Sequence, residues 1–457
     1  MPTDSDAKWT AKTLIESCNK LGCLMSADTA SELAQLVTIS MSNERRSFHR
    51  PSHIRDLVDP DDAILTIAAL FHDVVYYQVD QGLPPPAERL LQPLLSMDDG
   101  VVTLRSDCLT TLPALELVCD LFQVKPGDRL NPAKNLNEFL SAAVALHSLV
   151  PILPETYIAK VVVCIEATIP FRSQRKGDDP IETLAKRLSF CNRIYGLNLT
   201  DDEIHAAMVR AVNIGNRDVK NFASEDPAWF LATTWQLMPE RNESLRGSRY
   251  TFKDYRSSLE KMSDFFDFLN EALVFKRYRD YPSSESHREN TAIAKRNIEI
   301  ARTYIMAKLV AINLVEMLAI LSGGDLPISS FLGPLPRIET LRERMEQFLP
   351  PTKGVEDLNP LVLVLLEKGL PLESSFDLKN SPLAAFVYKS LGDSGMAALA
   401  EKLKRSNPNS PLDCRNISQF PEHVVNDVAV ACAKVCFDRS EFLLRLSRLD
   451  HPALKEI

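Results

Sequence analysis

The segment "NTAIAKRNIEIARTYIMAKLVAINLVEML", residues 290–318, constrains the fold more than any other stretch. Ile298, Ala301, Ile305, Leu309 and Ile312 recur at steps of three and four, the spacing that puts side chains on one helical stripe. Its most apolar part, "TYIMAKLVAINLVEMLAIL", is broken by Lys308, Asn313 and Glu316. Charges inside a bilayer-length span are costly, so the better reading is a buried helix of a soluble protein. A helix of that kind needs other helices around it.

The sequence supplies them. "DDAILTIAALFHDVV", "NEFLSAAVALHSLV", "IETLAKRLSFCNRI" and "DDEIHAAMVRAVNI" each open on carboxylates, which suit the positive end of a helix, and continue with apolar residues at helical spacing. Only "GVVTLRSD", residues 100–107, carries a strand signal. The expected fold class is all-α.

A chain of 457 residues exceeds one ordinary core, so two or three domains are expected. Breakers mark the boundaries. "QGLPPPAERL" and "VKPGDRLNPAKNLN" bracket a weakly organised segment, residues 80–136, and "SGGDLPISSFLGPLPR" separates a helical tail. The expected division is an N-terminal extension over 1–29, a main domain over 30–324 with an insertion at 80–136, and a C-terminal helical module over 325–457. A net charge of −9 disfavours polynucleotide binding and polybasic membrane attachment, while leaving room for a local basic pocket. No basic start followed by an apolar run opens the chain, and its nine cysteines lack C-x-x-C pairing. Most of the thiols read as small core residues in a reducing cytoplasm.

Three of the eight histidines, His49, His53 and His72, fall within 24 residues. Proline is tolerated in a first helical turn, so Pro51 in "RSFHRPSHIRDLV" predicts a helix start at Arg50–Pro51. His49 then lies just outside the helix and His53 in its first turn. His72-Asp73 is expected inside a second, apolar helix, where an unpaired carboxylate is expensive to bury. A hydrogen-bonded core pair would account for an isolated His-Asp; the H-x-x-x-H upstream favours a metal. Two imidazoles with carboxylates suit manganese, iron, zinc, nickel or magnesium without selecting among them.

"FHRPSHI" followed by "TIAALFHDVVYY" resembles the HD-domain metal-dependent phosphohydrolases. The resemblance is narrower to a small bacterial branch whose motifs continue, in order, with counterparts of "NEFLSA", "CIEATIPF" and the aspartate of "NIGNRDVKNF". It covers about residues 30–235. It implies an HD helical bundle in which His53, His72, Asp73 and Asp218 hold the metal. It further implies that His49 protonates the leaving oxygen and that Glu138 binds a second metal through water or orients the nucleophile. Phe48 and Arg50 depart from the branch's usual tyrosine and asparagine. The long interval from Asp73 to Glu138 implies an insertion and a candidate lid.

Beside these, Arg172 either holds a substrate phosphate through its guanidinium fork or lies in a solvated loop; Arg175 and Lys176 read as loop residues. Thr168, of the Ile-x-x-Thr motif, is a further candidate on the substrate side. Arg217 and Asn213 flank Asp218 and are candidates for supporting it, Arg217 also for binding substrate. "FFDFLNEALVFKRYRDY" mixes aromatics with Lys276, Arg277 and Arg279; stacking on a base is one reading, and buried core with a charged end is preferred. His147, His205, His287, His423 and His451 receive no role. The functional expectation is a hydrolase of phosphoester or phosphoanhydride bonds in a small nucleotide, with a divalent cation. The alternative is a non-catalytic HD scaffold that senses a nucleotide or a protein. Oligomeric state is not legible.

Overall fold

The computed structural model describes residues 4–131, 135–172, 179–247, 249–334, 343–403 and 412–447. These form 21 α-helices and one two-stranded hairpin, with 68% of the chain helical, so the expected all-α class holds at that level. Arg175, Lys176 and His451 lie outside the described residues.

The chain divides into two compact units, residues 1–223 with 270–294, and residues 224–269 with 295–457. These boundaries do not coincide with the expected ones at 29/30 and 324/325. Breakers act locally, as Pro84 does ahead of the helix Pro85–Leu91, whereas the division follows long-range packing that no local signal reports.

In the first unit the order is α1 (Asp4–Lys20), α2 (Ala27–Met41), α3 (Pro51–Leu57), α4 (Ala63–Phe71), α5 (Tyr77–Asp80) and α6 (Pro85–Leu91). Then come β1 (Leu95–Asp98), β2 (Val101–Leu104), α7 (Cys108–Thr111), α8 (Leu115–Phe122), α9 (Leu136–Leu149), α10 (Glu155–Ala167), α11 (Pro180–Ile194) and α12 (Asp201–Asp218). All nine residues of α4 and ten successive residues of α10, Ile158–Ala167, are buried, the pattern of helices surrounded on every side. α10 packs against α4, α8, α9 and α12, and α1 packs against α2 and α4. The 80–136 segment belongs to this core through Leu91, Val102, Leu104, Leu115 and Phe122.

The second unit contains α13 (Pro227–Trp235), α14 (Met238–Arg241), α15 (Phe252–Phe268) and most of α16 (Ser284–Leu321). It continues with α17 (Ile328–Leu332), α18 (Pro360–Lys368), α19 (Pro382–Leu403), α20 (Glu422–Val435) and α21 (Ser440–Leu446), α19 being broken at Gly392 with φ 69°. The most apolar stretch of α16 is 78% buried, a core helix as expected. Its three polar interruptions are each satisfied. Lys308 donates to Asp377 at 2.7 Å and to Ser381 at 2.8 Å, and Asn313 donates to Leu309 O. Glu316 accepts both Nε and Nη2 of Arg256 at 2.5 and 3.2 Å. A buried polar group survives in a core only on such terms.

Candidate metal centre

Pro51 opens α3, with Arg50 at its N-cap, so His53 occupies the first turn and His49 precedes it, as the proline predicts. Phe48, where the resembling branch has tyrosine, packs its ring 4.9 Å from His49 and 5.0 Å from His53, between centroids. His49 also meets the ring of Tyr76 edge-on at 4.6 Å.

The His-Asp doublet sits differently from expectation. α4 ends at Phe71, His72 is its C-cap, and Asp73 lies in the turn beyond. Helical bonding stops there because side chains from elsewhere take over the backbone groups. Arg46, fully buried, donates through Nη1 to Asp73 O at 2.7 Å and through Nη2 to Val74 O at 3.4 Å. Its Nε and Nη2 also grip Asp80 at 2.9 and 2.6 Å. From α9, Ser141 Oγ accepts from Val75 N and Asn137 Oδ1 from Tyr77 N, both at 3.0 Å. The "NEFLSA" motif thus uses its first and fifth residues, neighbours on one helix face, to clasp the chain just after the doublet. Neither these two roles nor that of Arg46 was read from the sequence.

His53, His72 and Asp218 each present one donor atom, all within 4.8 Å of one another. His53 Nε2 is 3.0 Å from Asp218 Oδ1 and 3.8 Å from Asp73 Oδ2. His72 Nε2 is 3.0 Å from Asp73 Oδ2 and 3.8 Å from Asp218 Oδ1. Its Nδ1 is 2.9 Å from Ala69 O. A carbonyl only accepts, so Nδ1 carries the proton and the neutral ring turns its Nε2 lone pair toward two carboxylates. Despite the short separation, Nε2 has no partner in hydrogen-bonding geometry among the described residues. A buried lone pair facing carboxylates requires a positive charge. Burial pulls the His72 pKa down, but Asp73 and Asp218 outweigh it and hold the ring up at about 9. Asp73, raised by burial and lowered more by His72, His49 and His53, stays well below the usual carboxylate range. These donors fit a divalent cation, which would replace the proton on His72.

Glu138 stands in the first turn of α9, and burial, helped by Asp73 and Asp218, pushes its carboxyl up to about 7. Arg172 donates through Nη1 to Glu166 Oε1 and through Nη2 to Glu166 O, both at 2.7 Å, and Arg187 reaches the same carboxylate at 2.7 Å. Arg172 lines a cavity of about 180 Å³ together with Glu166, Phe275 and Lys276. Thr168 and Arg217, expected on the substrate side, each make hydrogen bonds within the chain. Thr168 donates back to Ile165 O at the end of α10. Arg217 donates to Asp59 at 2.8 Å and Val58 O at 3.3 Å, bracing the linker between α3 and α4. Lys276, which reads as the charged end of a core stretch, has a buried ammonium without a hydrogen-bond partner among the described residues. Burial, and then Arg172, lower its pKa to about 8 against the pull of Asp218, Glu166 and Glu138.

Comparison with protein-family models, curated proteins and solved structures finds no match for the chain. The site therefore stands on its geometry.

Proposed function

We propose that the protein is a cytoplasmic, HD-type, metal-dependent hydrolase of phosphoester or phosphoanhydride bonds in a small nucleotide. The observation that carries this reading is His72: its Nδ1 is pinned by Ala69 O, and its Nε2 faces Asp73, Asp218 and His53 with no partner in hydrogen-bonding geometry among the described residues. His53, His72, Asp73 and Asp218 would hold the cation. Bound there, a divalent cation supplies the Lewis acidity that lets water act as a nucleophile at neutral pH. Glu138, close enough to feel Asp73 and Asp218, orients that water and accepts its proton. His49, held by the rings of Phe48 and Tyr76, gives a proton to the leaving oxygen. Phe48 packs against both histidine rings.

Asp73→Ala is expected to abolish bound metal in elemental analysis; stoichiometric metal in that variant sinks the assignment. His49→Ala should lose turnover on a manganese-supplemented nucleotide panel while keeping metal, and His53→Ala should lose both. Full metal loading of the wild type with no turnover on the panel, alongside tight nucleotide binding, would instead favour a sensor built on the same scaffold.

A further inference from the structure

Lys276 is seated by α12. Its backbone N–H donates to Asn216 Oδ1 at 2.7 Å, and Asn216 Nδ2 donates back to Lys276 O at 2.9 Å, a two-point grip. The adjacent Gly215 makes room for the stem: a Cβ there would lie 3.2 Å from Lys276 Cδ and 3.3 Å from Nζ. The lysine is thereby fixed about one helical turn before Asp218, and it lines the cavity shared with Arg172 and Glu166.

Two atoms on that lining are buried without hydrogen-bond partners among the described residues, Lys276 Nζ and Glu166 Oε2. One is a donor and the other an acceptor. Arg172 and Arg187 occupy the opposite oxygen of Glu166, and Asp179, also on the lining, caps α11 through Ile181 N. Among the described residues, Arg172, Lys276 and Arg277 then leave the cavity wall with an excess of cation over carboxylate. An anion suits the ammonium and guanidinium; only an anion that also carries a proton suits the carboxylate oxygen.

We infer that this cavity binds a terminal, singly protonated phosphate, its anionic oxygens on Lys276 and Arg172 and its P–OH donating to Glu166 Oε2. For the substrate class this rests on the proposed hydrolase reading and narrows it: phosphate monoesters and terminal nucleotide phosphates, with a second pKa of about 6, can hold such a proton when a carboxylate accepts it, whereas cyclic and internal phosphodiesters have none to give. The binding itself does not depend on the metal centre. Leu273 and Phe275 provide apolar wall for the organic part of the ligand. An unpartnered buried ammonium destabilises a fold, so the lysine is kept here for what it binds.

The test is calorimetric titration of the full chain, stripped of metal with chelator, using inorganic phosphate and then sulfate, which carries no proton at neutral pH. Wild type should bind phosphate and bind sulfate at least tenfold more weakly. Lys276→Met should lose at least tenfold in phosphate affinity while melting no lower than wild type. Asn216→Ala, which keeps the charge but releases the grip, should weaken phosphate binding severalfold. Unchanged phosphate affinity in Lys276→Met, equal affinity for sulfate, or no phosphate binding by wild type would each overturn the inference. If Asp73→Ala retains metal while phosphate binding still depends on Lys276, the hydrolase reading falls and the cavity stands. If Asp73→Ala loses metal and Lys276→Met binds phosphate normally, the reverse holds.

Discussion

Replacing Glu138 with glutamine tests the electrostatics of the site without needing turnover. In the folded chain, burial and the neighbouring Asp73 and Asp218 raise the carboxyl from its ordinary 4.5 to about 7. A raised folded pKa means that the folded state holds a proton the unfolded chain has already released. The stability this proton confers is complete below pH 4.5 and is lost as pH climbs through 7. At 1.36 kcal/mol per unit, ionisation costs the wild type about 3 kcal/mol by pH 8, of which under about 1 kcal/mol is already lost at pH 5. Glutamine keeps the shape and never ionises. The advantage of Glu138→Gln over wild type should therefore grow by about 2 kcal/mol between pH 5 and pH 8. Cys164 and Cys191 are buried and belong to the first unit, so their thiol labelling in a urea series reports that unit's unfolding. Both proteins are compared at each pH in chelator, which cancels the pH dependence of the labelling chemistry. Parallel stability curves, with a difference independent of pH, would refute the coupling of Glu138 to Asp73 and Asp218.

Arg46→Met strands the buried Asp80 carboxylate and two backbone carbonyls, and is expected to cost about 3–5 kcal/mol by chemical denaturation. Arg46→Met with Asp80→Leu should recover much of that loss, because no charge is left buried. Ser141→Ala orphans the N–H of Val75, for about 1–3 kcal/mol, and should weaken manganese binding about 10- to 100-fold in a chelator competition as the turn behind Asp73 loosens. In the second unit, Arg256→Met leaves Glu316 uncompensated in the core and should cost about 3–5 kcal/mol; Arg256→Met with Glu316→Leu should be far milder.

What the sequence made legible is what local rules govern. Pro51 and the apolar run of α4 place His53 and His72 with little help from the rest of the chain. "GVVTLRSD" yields β2; its partner β1, "LSMD", alternates apolar and polar residues over only four positions, too short a run to stand out as a strand. Asp99-Gly100, with φ 48° and 76°, occupies the two-residue turn between them and was the usable signal. Arg46 and Lys276 were not legible. Arg46 earns its role from Asp80, 34 positions away, and Lys276 from Asn216, 60 positions away. The contacts that Thr168 and Arg217 make were likewise not legible, because position in a motif does not reveal which neighbour a hydroxyl or guanidinium will find.

The end of α12 explains how a site drawn from distant segments is held in one geometry. The helix starts cleanly, with Thr200 and Glu203 in a capping box. Near its other end, successive residues point about 100° apart, so each addresses a different neighbour. Gly215 lets Ala167 and Lys276 approach, Asn216 grips the Lys276 backbone, Arg217 holds Asp59, and Asp218 faces the two histidines. Arg210, seven residues before Arg217 and on the same face, holds Asp62 at 2.5 Å. Asp59 and Asp62 lie in the linker that joins the helix bearing His53 to the helix ending at His72. Each of these ion pairs is partly exposed and contributes little stability alone. Their value is geometric: one helix fixes the linker between two of the histidines, supplies the distal carboxylate, and seats the lysine. A displacement of α12 would therefore disturb the candidate ligand set and the candidate phosphate cavity together, which is how a preorganised site should fail.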